Sequence, residues 1–101
     1  MSDHATLEIT RLVKAPREAY LRKNEGTIRS QALPLKNDPA ISLHLAAVEM
    51  AEDIADIHEI AGKKMADHGR TAWVKIHHRH FTAACQFRLY HLDKLAHLVG
   101  V

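Results

Sequence analysis

From Asp38-Pro39 onward, Leu43, Ala47, Met50, Ile54, Ile57, Ala61 and Met65 recur at intervals of three and four, and no other feature constrains the fold as tightly. Residues at that spacing fall within a narrow arc of a 3.6-residue helix. Asp38 can accept hydrogen bonds from the first free backbone N–H groups, and proline at the next position has no N–H to leave unpaired. The spacing therefore predicts a helix that starts at Asp38 and runs to a turn at Asp67-His68-Gly69-Arg70, where Gly69 is the natural left-handed cap. Gly62 lies inside the pattern and costs roughly 1 kcal/mol relative to alanine. A second helix from Ala72, after a possible Thr71 cap, to Gly100 has nearly the same length of roughly 45 Å at about 1.5 Å per residue. Equal lengths joined by a short turn imply an antiparallel hairpin over residues 38–101.

The second helix is apolar on more than one side. Trp73, Ile76, His80, Ala83, Ala84, Phe87, His91, Leu95 and Leu98 project as one stripe, expected to face the first helix. Val74, Phe81, Cys85, Leu92, Ala96 and Val99 form another, widened by Leu89. In the first helix Ile41, Leu45 and Val48 lie opposite the main seam. Leaving such side chains in water is costly at roughly 1.5 to 3 kcal/mol each, so Val74, Phe81, Leu92, Val99, Ile41, Leu45 and Val48 are the expected assembly surface. Pairing two hairpins as a four-helix bundle would cover them, which makes a homodimer or higher oligomer the expected state.

Residues 1–37 read as an N-terminal arm rather than a second domain. Leu7 to Val13 has the alternation of a short strand, Pro16 suits the start of a short helix over Arg17 to Asn24 stopped at Gly26, and Thr27 to Leu35 reads as extended because Leu33 precedes Pro34. The phrase Leu-Glu-Ile-Thr-Arg-Leu-Val-Lys-Ala-Pro-Arg-Glu, residues 7–18, resembles the opening strand and helix of START-like ligand-binding domains. Those domains continue into a long curved antiparallel sheet, whereas this chain continues into a helical hairpin, so no function is carried over from them. The expected fold is mainly α: a long helical hairpin with a short strand/helix arm.

Charge is unevenly placed. Residues 1–37 carry seven Lys/Arg against four acids, residues 38–69 two against seven, and residues 70–101 five against one. An acidic helix thus lies beside a basic one, which favours their pairing through exposed contacts of at most ~1 kcal/mol each. Arg11, Lys14, Arg17, Arg22, Lys23 and Arg29 make the arm a candidate nucleic-acid surface, whose binding would fall steeply with salt. Arg88 interrupts the apolar arc near the level of Glu52 and Asp53, and should be paired, with Asp53 in the better direction.

Candidate chemistry is confined to histidines. His77 and His80 are three apart on a helix, and the hairpin brings His58 to the level of His80, so His58, His77 and His80 form a candidate site for a divalent transition metal. Partly buried histidines bonded to each other or to backbone explain the same pattern more simply, and no Glu-x-x-His, His-Glu-x-x-His or Cys-x-x-Cys motif accompanies them. The single cysteine, Cys85, reads as a small core residue. No serine or threonine has a positioned base, and the acids Glu49, Glu52, Asp56 and Glu59 form a solvated face. No run reaches the ~20 apolar residues of a membrane span, and Met-Ser-Asp-His lacks a secretory pattern. The expected function is therefore non-enzymatic: a cytoplasmic adaptor, inhibitor or accessory factor that binds a protein partner through a helical surface. Nucleic-acid binding by the arm and metal binding by a histidine-rich bundle are the alternatives.

Overall fold

The computed structural model describes residues 11–101 and is mainly helical. Helix α1 spans Ala15–Ala32, a single 3-10 turn follows at Leu33–Leu35, and the hairpin consists of α2, Pro39–Asp67, and α3, Thr71–Val99. Among the described residues there is no strand. Residues 11–14 are irregular, and the rest of the expected strand lies outside the described residues.

Both ends of α2 follow the local chemistry of the sequence. The Asp38 carboxylate accepts from the N–H groups of Ala40 at 2.9 Å and Ile41 at 3.3 Å, with Pro39 in the first turn. At the far end Gly69 takes φ +70°, which a side chain would strain, and the Arg70 N–H closes the turn on the Met65 carbonyl at 2.8 Å. Replacing Asp38 by alanine is expected to remove about 1 kcal/mol of stability, read as a lower urea midpoint with an unchanged slope.

The arm differs from its expected form. Helix α1 continues through Gly26 and ends at Ala32, instead of stopping after Asn24. Leu21, Ile28 and Ala32 share one face and are fully buried, so tertiary packing outweighs the roughly 1 kcal/mol that an exposed mid-helix glycine costs. This helix lies across the hairpin. Near its start Arg17 pairs with Asp93 of α3 at 2.7 Å, and near its end Arg29 reaches Glu52 of α2 at 2.6 Å. Leu12 is tied in beside it, its N–H donating to Gln86 Oε1 at 3.1 Å, and the Tyr20 hydroxyl donates to the Val101 carbonyl.

Beneath α1 lies one core, made of Val13, Leu21, Ile28, Ala32, Ile41, Leu45, Val48, Leu89, Leu92, Leu95 and Ala96, with Val99 and Val101 packed against it. Four residues expected to need a partner, Ile41, Leu45, Val48 and Leu92, are therefore covered within the chain. The expectation failed because α1 is longer and more apolar on its inner side than its charged composition suggests. The cover is also short. No residue between positions 56 and 83 is buried, so the half of the hairpin nearest the turn projects as two helices without a third.

Candidate functional site

Three surfaces of the hairpin follow from its periodicity: one under α1, one where α2 meets α3, and one facing away. The contact between α2 and α3 is lined by small residues and histidines. Ala51 is fully buried, Ala55 and Ala84 nearly so, and a Cβ placed on Gly62 would lie 3.5 Å from the His77 Cβ, in ordinary contact. Small side chains let the two backbones approach closely.

On either side of this alanine layer a pair of imidazoles bridges the helices. His44 Nδ1 lies 2.8 Å from His91 Nδ1, and His58 Nδ1 lies 3.0 Å from His77 Nδ1. Such a bond requires one ring to carry its proton on Nδ1 and the other to present a bare nitrogen. His80 stacks on His58 with ring centroids 4.8 Å apart, and Phe87 and Tyr90 pack edge-on to His91. Desolvation first, then the neighbouring His80 and His77, holds His58 below the ordinary histidine range. His91 is lowered in the same way by desolvation, His44 and Lys94.

The structure thus brings the three candidate metal residues together, but as a hydrogen-bonded pair with a ring stacked on it. Among the described residues no group of three or more histidine, cysteine or carboxylate side chains is arranged to hold an ion. The simpler explanation of those histidines accounts for the geometry.

The face turned away from α1 holds the main surprise. Leu43, Met50, Ile54 and Ile57 of α2 and Ile76, Phe87 and Tyr90 of α3 project opposite the core residues of their own helices, and Trp73, against His77, flanks them at the edge of the α2–α3 contact. All eight are exposed, from 37% for Ile76 to 63% for Leu43. At about 200 Å² for a side chain of this size they present on the order of 700 Å² of apolar surface. A monomer rarely exposes that much large apolar surface on one side without using it. All of these except Tyr90 belong to the very stripes expected to close the hairpin. Each helix is instead turned so that its histidine and alanine positions meet and its larger side chains split between α1 and the open face.

The remaining candidate residues divide by position. Val74 and Phe81 are half-buried outside the core cluster and line a cleft of about 270 Å³ together with His58, Glu59, Gly62, Lys63, Ala66 and His78. Of the arm's basic residues, Arg11 and Arg22 pair with Glu18, Arg17 with Asp93, and Arg29 with Glu25 and Glu52, while Lys14 and Lys23 are exposed. Four of the six face carboxylates of their own chain, which weakens the case for a phosphate-binding surface. Arg88 pairs with Glu25 and, at 3.4 Å, with Glu52. Asp53, the expected partner, is exposed. Cys85 is half-buried and its thiol is pushed up by desolvation, in keeping with an unreactive packing role.

Among the described residues no helix is long and apolar enough to cross a membrane. Comparison of the chain with known protein families, curated proteins and solved structures finds no match.

Proposed function

We propose that this protein is a non-enzymatic binding module of the cytoplasm, in which two copies pair through their open faces as a four-helix bundle. The observation that carries this reading is the face itself: eight exposed large apolar side chains on a hairpin whose outer half has no buried residue. An interface of standard size needs roughly 800 Å² from each partner, close to what this face offers. Charge supports the same pairing. Residues 38–69 have two basic against seven acidic side chains and residues 70–101 five against one, so α2 of one protomer is best placed against α3 of the other. That choice needs a twofold axis parallel to the helices, with both turns at the same end. The bundle then serves as an adaptor, inhibitor or accessory factor, and a protein partner offering an amphipathic helix would compete for the same face.

The test is the mass in solution. Light scattering of the wild type should give two chains of 11.4 kDa each. Ile54→Glu with Ile57→Glu should give a folded monomer, because both positions are exposed in the single chain. Losing roughly 1.5 to 3 kcal/mol for each buried aliphatic side chain weakens the pairing by about 100-fold or more. A monomeric wild type would overturn the self-pairing, and a variant as dimeric as the wild type would show that another surface is used.

A further inference from the structure

We infer that the two cross-helix imidazole pairs, His44 with His91 and His58 with His77, form a proton-sensitive clamp that keeps the open face assembled at neutral pH and releases it in mild acid. The inference rests on the pairing proposed above for its effect on assembly, but the clamp itself is a property of the single chain.

Each pair joins α2 to α3 through one N–H···N bond, at 2.8 Å and 3.0 Å. A first added proton can sit on the outer nitrogen of the donating ring and leave that bond intact. A second removes the accepting lone pair and sets two like charges about 3 Å apart, where no water can separate them. The clamp therefore fails when both rings of a pair are charged.

The surroundings offer little to offset that charge. His58 is faced by His77 and His80, with Glu59, Lys63 and His78 lining the same cleft, and Glu59 is exposed. His91 is faced by His44 and Lys94. The carboxylates of α1, Glu18 and Glu25, bind Arg11, Arg22, Gln86, Arg29 and Arg88, and its Arg17 and Arg29 pair with Asp93 and Glu52. In the pairing with both turns at one end, each pair meets its counterpart at the same level of the bundle, so protonation also sets the two protomers against each other.

The sign follows from His58 and His91, which are held below the ordinary histidine range. Their contribution to stability is fully present above about pH 6.5 and is lost as the pH falls through the lowered values. Carboxylate pairs respond only in more acidic solution, so the two effects separate.

The experiment compares wild type with His58→Gln/His91→Gln by sedimentation and thermal unfolding at about pH 8 and about pH 5.5. Wild-type self-affinity should fall at least tenfold in the acid sample and its unfolding midpoint should drop, while the variant should change little in either. An equal acid response in the variant would overturn the clamp. If the wild type is monomeric at both values, the self-pairing fails while the unfolding midpoints still decide the clamp. If the variant does not fold, NMR titration of the wild-type imidazoles decides: loosening that coincides with charging of His58 and His91 supports the clamp, and loosening confined to the carboxylate range overturns it.

Discussion

Truncating Leu92 to alanine should lower the free energy of unfolding by roughly 2 to 5 kcal/mol, whereas truncating Ile57 should change the stability of the isolated chain by no more than about 0.5 kcal/mol. Leu92 has no exposed surface and sits where α1 crosses α3, so its loss leaves a cavity that the side chains of three helices would have to close. Ile57 is 62% exposed on the open face. The two residues are similar in size and chemistry and both lie on the hairpin, which makes the contrast a direct measure of which apolar stripe is the core. A folded domain of this size has about 5 to 15 kcal/mol of stability in all, so Leu92→Ala removes a large share of it. Chemical denaturation at low protein concentration, where the proposed self-association would contribute least, is the appropriate measurement. Equal losses at the two positions would mean that α1 does not define the core in solution. At high protein concentration the proposed pairing predicts that Ile57→Ala begins to matter, because such a dimer would bury a side chain that the single chain leaves exposed.

Replacing Arg88 by alanine should cost roughly 2 to 3 kcal/mol, and a double-mutant cycle with Glu25→Ala should return a coupling of about 1 to 2 kcal/mol. Arg88 is part of a closed network in which Glu25 of α1 binds both Arg88 and Arg29, and Glu52 of α2 binds the same two guanidinium groups. Three helices meet in it. The arginine side chain is only 17% exposed and Glu25 23%, so removing one partner strands a charge in a partly dehydrated place. Desolvation raises the Glu25 pKa, but the hydrogen bond and charge of Arg88, followed by those of Arg29, outweigh it and hold the carboxyl below the ordinary glutamate range. The network's stabilisation is therefore present above about pH 4.5 and is lost as the pH falls through the depressed value. Unfolding measured against pH should show this acid limb shrink in Arg88→Ala while the limb that the proposed histidine clamp predicts in mild acid, below about pH 6.5, persists. Loss of the mild-acid limb instead would mean that the histidine seam depends on how α1 is docked.

The hairpin was legible because its determinants are local. Asp38-Pro39 provides a cap and a first-turn proline within two residues, Gly69 provides the positive φ of the turn, and the three-and-four spacing of apolar residues specifies helix on both sides. The meeting of His58 with His77 and His80 was legible for the same reason, since antiparallel pairing about a known turn fixes which levels coincide. Helix α1 was harder to read. Gly26 reads locally as a stop, and the charged side chains of the arm mask the spacing of Leu21, Ile28 and Ala32, whose value depends on a surface elsewhere in the chain. The partner of Arg88 comes from that same helix: Glu25 is 63 residues away and has no local relation to it.

By itself, then, the sequence determined the helices of the hairpin, the turn between them and the excess of apolar positions over what two helices can hide. Only the tertiary structure decided how those positions are shared. Periodicity gives angles around each helix axis but not the rotation of one helix against another, and that rotation is set by the sum of all contacts, including those with α1. Docking α1 buries Ile41, Leu45, Val48 and Leu92, leaves small alanines and paired histidines between α2 and α3, and turns Leu43, Met50, Ile54, Ile57, Trp73, Ile76, Phe87 and Tyr90 outward. The side of the hairpin left open is thus a consequence of a third helix that the hairpin's own sequence does not encode.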